Sequence, residues 1–315
     1  MENRMHMNPK KIFSKLGLAL FVMMFMIYAI QIGSVSILRS FFPVLFTKLA
    51  MTPWFNWALT FVSFHVIGFA IFYLMTRNIP IEEKDTPKTM NFKQMFVLFL
   101  ICMATTYLFN YVSIFINYII GILKSMMGQS STVVNPIDMA VQNSGIIYTI
   151  LVACISAPIV EELIFRKIML DRLRSFGDKT AILVTAFTFG LIHGNLSQFF
   201  YAFALGLIFG FIAIRTNTAR YTIILHIIIN LFGSVILPNL ALSPNPIFSI
   251  LAVVLIFGFI ISGTILFFIY RKRIYLEDAI IPLNPRTRFR TIYVNVGMIL
   301  YIILCLIMFV SVILA

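Results

Sequence analysis

Charge is what this sequence most lacks. Only 11% of its 315 residues are Asp, Glu, Lys or Arg, against 61% hydrophobic, and the mean hydropathy is +0.99, whereas a soluble globular chain is about one quarter charged. A soluble globular protein is thereby excluded and a polytopic membrane protein implied. Long hydrophilic stretches are also missing. The longest runs to about 20 residues, well short of an independent domain, so any chemistry belongs inside the membrane. Cysteine is down to three residues, Cys102, Cys154 and Cys305. All three fall in apolar stretches, which rules against a disulfide framework and a four-thiolate metal site. Internal repeats and low-complexity tracts are absent.

The net charge of +13 invites a nucleic-acid reading, but the basic residues sit in short loops between apolar runs and form no stripe with interleaved aromatics. No nucleic-acid partner is expected, and membrane topology explains the charge. A bilayer core of about 30 Å takes about 20 apolar residues of helix. That rule marks spans near 16–38, 54–75, 93–123, 144–166, 221–237, 247–270 and 292–314. Two shorter runs, near 180–193 and 199–214, are either two short crossings or a re-entrant pair. The expected fold is therefore all-α, a polytopic transmembrane helix bundle of about 8–9 membrane segments around a membrane-embedded polar cavity. The first run, preceded by Arg4, Lys10, Lys11 and Lys15, is too long for the apolar core of a signal peptide and reads as a retained span.

Short cytoplasmic loops carry the excess of Lys and Arg. The N-terminus and residues 76–93 (Arg77, Lys84, Lys88, Lys93), 166–179, 215–220 and 271–290 are basic and are placed inside. Residues 39–53, 124–143, 194–198 and 238–246 hold only Arg39, Lys48 and Lys124 and are placed outside. Nine crossings then leave the N-terminus cytoplasmic and Ala315 outside, as expected of a multi-pass protein of a bacterial plasma membrane. Pro53, Trp54 and Trp57 form an interfacial aromatic anchor. The chain divides into N-terminal helices (1–123), a core (124–240), and C-terminal helices with a basic loop (241–315).

Against this background three polar clusters stand out, because a charge at mid-bilayer costs roughly 3 kcal/mol or more. In the first, Glu162 and Arg166 are four residues apart, one turn along a helix face, where they can pair. Glu161 points about 100° away from Glu162. It is left free to accept a proton from a bound water. In the second, Phe189 and His193 are one turn apart, and the imidazole is suited to orienting a water or ligating a metal. In the third, His226 and Asn230 share a helix face and can together donate to an oxygen that develops negative charge. His65 has no partner at helical spacing and is assigned a structural role. Gln31, Asn110 and Asn117 suit ordinary interhelical hydrogen bonds. The stripe Ala202-x-x-x-Gly206-x-x-x-Gly210 suits close helix packing.

The ordered set Glu-Glu-x-x-x-Arg, Phe-x-x-x-His and His-x-x-x-Asn resembles the CPBP family of intramembrane proteases (Abi-like), which includes CAAX prenyl endopeptidases and bacteriocin-processing or immunity homologues. The resemblance covers roughly residues 120–240. It implies an intramembrane endopeptidase that hydrolyses a membrane-associated peptide or protein with an activated water in a cavity open to the cytoplasm. By motif position Glu161 would be the general base and His193 its partner on the water. His226 and Asn230 would stabilise the oxyanion, with Glu162, Arg166 and Phe189 supporting. The family is described both as glutamate-dependent and as metalloprotease. If a metal takes part, Glu161, His193 and His226 would supply a zinc site with water as fourth ligand, although the His-Glu-x-x-His spacing of zinc proteases is missing. The alternative is a non-catalytic scaffold, or an immunity or regulatory partner of another membrane protein.

Overall fold

A computed structural model describes residues 8–82, 85–133 and 145–314. The expectations resting on Arg4, Lys84, the 134–143 part of the loop before the fourth span, and Ala315 lie outside these residues. The helices are α1 (Pro9–Phe41), α2 (Pro43–Ala50), α3 (Trp54–Thr76), α4 (Phe92–Met126), α5 (Ile146–Phe176) and α6 (Asp178–Ile192). They continue with α7 (Leu196–Thr216), α8 (Arg220–Ala241), α9 (Pro246–Arg273), α10 (Arg288–Tyr293) and α11 (Val296–Leu314). No strand occurs among the described residues. Eight of these helices are long and apolar enough to cross a membrane, and the protein is an all-α, integral, multi-pass membrane bundle.

Asparagine opens several spans because its side-chain oxygen accepts from the unpaired N–H groups of a first turn. Asn8 accepts from Lys10 N at 2.9 Å, Asn195 from Gln198 N at 2.9 Å and Asn245 from Ile247 N at 3.0 Å, while Asn91 and Gln94 cap α4 reciprocally. More than half of α7 is buried, the largest share of any span. It belongs to both apolar clusters of the core, one built with α1, α5, α6 and α11 and the other with α4, α8 and α9. On α9, by contrast, Phe257, Ile261, Ile265 and Phe268 are exposed, as a lipid-facing surface requires.

The basic segments gather at one end of the bundle. Lys88 N donates to Thr216 O at 2.9 Å, Arg174 reaches the Asn217 side chain at 2.7 Å, and Ile281 N donates to Ser175 O at 2.8 Å. The Phe13 ring, near the start of α1, lies 5.2 Å from that of Phe176. Arg288 hydrogen-bonds Thr180 at the same end. At the opposite end Asn117 donates to Ser197 at 2.9 Å. Lys124 is buried there, its ammonium donating to Ile313 O at 2.6 Å and Thr132 O at 3.2 Å. A cation at that place satisfies the free carbonyls ending α11.

Two of the expected boundaries change. The fourth span continues past Arg166 to Phe176, because Arg172 is buried with its guanidinium donating to the carbonyls of Thr76 at 3.0 Å and Ile168 at 2.8 Å. The short run near 180–193 becomes α6, whose 15 residues rise only about 22 Å. It starts at the basic end and stops at Gly194, which packs on Met308, six residues before the end of α11. The stripe on α7 packs on α6 as expected: a Cβ on Gly206 would come within 2.9 Å of Ala186 Cα. The short α2, with no buried residue, was not expected. Of the aromatic anchor, Trp54 is exposed and Trp57 buried.

Candidate functional site

Glu161 and Glu162 lie in a six-residue α-helical segment, Ala157–Glu162, between two π-helical stretches of α5, Thr149–Ser156 and Leu163–Met169. π turns widen a helix and often mark functional sites. Glu162 and Arg166 are both fully buried, with Arg166 Nε 3.2 Å from Glu162 Oε2, so the spacing read from the sequence does produce the pair. None of the Arg166 nitrogens makes a well-aligned hydrogen bond. The guanidinium instead lies among three rings, 4.7 Å from the centre of Phe189, 5.7 Å from Phe209 and 5.9 Å from Phe165. Aromatic faces replace part of the lost hydration, worth about 2 kcal/mol or more for a desolvated cation.

His226, on α8, joins this pair across the bundle. Its Nδ1 is 3.1 Å from Glu162 Oε1 and its Nε2 is 3.7 Å from Glu161 Oε2. A carboxylate paired with Arg166 accepts, so Nδ1 donates and Nε2 faces Glu161. The buried group then holds two carboxyls, one guanidinium and one imidazole. Since net charge in a low-dielectric interior is costly, neutrality asks for one proton shared between Glu161 and His226. Thr222 stands one turn before His226, and its hydroxyl, which donates to Ala219 O at 2.9 Å, lies beside Glu162.

His193 ends α6 and makes no ion pair with either glutamate. Its Nδ1 lies 2.9 Å from Phe189 O, and because a carbonyl only accepts, that nitrogen carries the proton and leaves Nε2 as a base. The Phe189 ring stands edge-on to both histidines, 5.1 Å from His193 and 5.9 Å from His226 between ring centres. Glu161 thus has His226 as its nearest basic group, and the Phe189 ring packs against both histidines.

Asn230 is one turn beyond His226 but makes no bond to the glutamates. Its Nδ2 donates to Ala153 O at 3.0 Å. The backbone explains why that carbonyl is free. Ala157 N donates to Val152 O in the π register, which shifts the next donor to position 158, and Pro158 has no N–H. The first amide proton of Asn230 thus satisfies an orphaned carbonyl, and the second is left to point elsewhere. His65 has the structural partner expected of it, Ser156 Oγ at 3.0 Å from its Nδ1.

No group of three His, Cys, Asp or Glu side chains able to hold a metal ion occurs among the described residues. Glu161, His193 and His226, the zinc set implied by the resemblance, do not form such a group: Nε2 of His226 faces Glu161, and His193 makes no ion pair with either glutamate.

The polar cavity also departs from expectation. A cavity of about 650 Å³ is lined by α4, α8, the start of α5 and the first turns of α7. Met103 and Asn230 line its deep part, while Val133 and Leu242 line the end away from the basic loops. Asn110, read as an ordinary interhelical residue, is part of its wall. At the basic end a cleft of about 210 Å³ is lined by Glu82, Asp85, Asp178 and Glu277 around Arg174, and none of the cluster residues reaches it. Sequence reasoning missed Thr222 and Phe209. Thr222 could have been found, since Thr222, His226 and Asn230 repeat at four-residue spacing.

Residues 143–232, which contain all seven site residues, match the family model described as type II CAAX prenyl endopeptidase Rce1-like. A stretch of 87 residues, 26% of this chain and 34% of the relative, is 36% identical to a Bacillus subtilis (strain 168) protein named "Putative membrane peptidase YdiL". The match thus spans about one third of that curated relative's length. No solved structure matches the chain. The resemblance to the CPBP family, drawn from the three motifs, is supported over this core.

Proposed function

We propose that this protein is an intramembrane endopeptidase that hydrolyses a peptide bond of a membrane-associated peptide or protein with water activated by Glu161 and His226. The observation that carries the reading is the buried, mutually neutralising group Glu161–His226–Glu162–Arg166. A structural role would need only one ion pair, and here an extra carboxyl and a histidine are held against it. Glu161 takes a proton from the attacking water while oxygen bonds to the scissile carbonyl carbon. Glu161 passes the proton it took from water to the leaving amine as the C–N bond breaks, which leaves the group with its original shared proton and no net charge. Glu162, fixed by Arg166, sets the His226 tautomer through Nδ1. The free proton of the Asn230 amide is available to the oxyanion. His193, with an unprotonated Nε2, can accept a hydrogen bond from the same water.

Membranes from cells producing the wild-type protein or Glu161→Gln test this through their peptide content. Peptides cut only in the wild-type sample are expected and would identify the substrate. Identical peptidomes, with the variant folded and inserted, would contradict the reading and favour a scaffold that needs only the bundle.

A further inference from the structure

Carboxylates are sorted in this fold. Apart from Glu161 and Glu162, every described Asp and Glu lines the cleft around Arg174 at the basic end: Glu82, Asp85, Asp171, Asp178, Glu277 and Asp278. The segment 271–290, from the end of α9 into α10, shows the same sorting within itself. Its two acids, Glu277 and Asp278, line the cleft, and its backbone is tied there as well. Asp178 N donates to Glu277 O at 3.2 Å, Glu277 N to Asp178 Oδ2 at 2.9 Å and Ile281 N to Ser175 O at 2.8 Å. Its cations stay outside: Arg271, Lys272, Arg273, Arg286 and Arg290 are exposed, and none of them forms an ion pair among the described residues. Two guanidiniums lie against rings of the last turn of α9 instead, Arg271 5.0 Å from the centre of Phe268 and Arg273 5.0 Å from that of Tyr270. Aromatic rings at the end of a lipid-facing helix sit at headgroup level, so a guanidinium held against one is placed there too.

We propose that residues 271–290 form a docking surface for the anionic phospholipid headgroups of the cytoplasmic leaflet. Basic loops are cytoplasmic, and anionic lipids give that leaflet a negative surface potential which attracts Lys and Arg next to a span. The spans α9 and α11 hold the segment at the bilayer from both sides. Ile274, Tyr275, Ile280 and Phe289 are exposed among the cations, and a bilayer covers such side chains where a soluble polyanion leaves them in water. The sorting of the acids completes the surface. A carboxylate beside the cations would repel a lipid phosphate, and drawing Glu277 and Asp278 into the cleft with Arg174 removes that repulsion while anchoring the segment to the start of α6. The proposal makes no use of the peptidase reading.

Tryptophan quenching by brominated lipid tests it on the full chain. Trp54→Phe and Trp57→Phe remove the native indoles, and Phe268→Trp puts a reporter beside Arg271. The protein is reconstituted in vesicles of phosphatidylcholine and phosphatidylglycerol, with bromine on the acyl chains of one lipid or the other. Phosphatidylglycerol should be enriched at the reporter about fivefold or more, since one Lys or Arg near an anionic surface is worth about that factor. Arg271→Gln, Lys272→Gln and Arg273→Gln together should bring the enrichment close to one. These side chains are exposed, so the fold should persist, which thermal unfolding in detergent checks. Salt at about 1 M, where the Debye length is about 3 Å, should lower the enrichment as well. Wild-type protein should show the same preference in native mass spectrometry, retaining phosphatidylglycerol over phosphatidylcholine after detergent extraction. Equal quenching by the two lipids, equal retention, or an enrichment that neither the three substitutions nor salt lowers would overturn the proposal.

Discussion

His226 and Asn230 stand one turn apart on α8, yet their surroundings are opposite. His226 is closed in by two carboxyls and two aromatic rings, with a guanidinium completing the charge balance. Asn230 stands in a cavity with no charged side chain among its described lining residues and gives one proton to a backbone carbonyl. In a low-dielectric interior charged groups must be packed against one another to be tolerated, whereas neutral amides can line open space at little cost. The first region is thus a packed, mutually neutralising group and the second an amide-lined cavity.

The largest expected effect comes from unbalancing the charged region. Arg166→Leu should destabilise the protein by about 3–5 kcal/mol, because it leaves Glu162 buried without its partner, and thermal unfolding in detergent will read this. Adding Glu162→Leu should restore most of the loss. Equal destabilisation in single and double variants would show that the pair acts by packing alone. His226→Ala should keep the fold and lower cleavage by about 10²–10⁴-fold, the range of a lost acid–base group. Activity near wild type would move the second member of the base pair to His193.

The cavity side gives smaller effects. Asn230→Ala should cost about 0.6 kcal/mol, and at most about 1.7, as interhelical hydrogen bonds in membranes do. The smallest effect is the most specific. Pro158→Ala restores an N–H in reach of Ala153 O, so Asn230→Ala should cost less in that background by about 0.5 kcal/mol in a double-mutant cycle. Additivity would remove Pro158 from the explanation and sever the link between the π register of α5 and the amide on α8.

The bundle was readable because lipid leaves no alternative to long apolar helices, and the expected spans differ from the helices mainly where charged residues find internal partners. Arg172 is such a case: hydropathy reads it as a loop residue, while two backbone carbonyls make it a helical one. In the site, the Glu162–Arg166 pair was legible because it is local. The approach of His226 to both glutamates was not, since it depends on how helices separated by 64 residues pack. Nor was the role of Ala153, whose free carbonyl arises from a hydrogen-bond register that leaves no residue signature except Pro158. The polar cavity was expected but its lining was not, because its asparagines and hydroxyls are individually ordinary and form a wall only when four helices place them together.

Oxygen transfer from water tests the central claim most directly. Purified wild-type protein and Glu161→Gln, each reconstituted in liposomes with a peptide that the membrane comparison identifies, are incubated in ¹⁸O-labelled water. Hydrolysis by a water activated at Glu161 predicts ¹⁸O in the new carboxyl terminus with the wild-type protein and no product with the variant. The same labelled product at the same rate from Glu161→Gln would contradict the account.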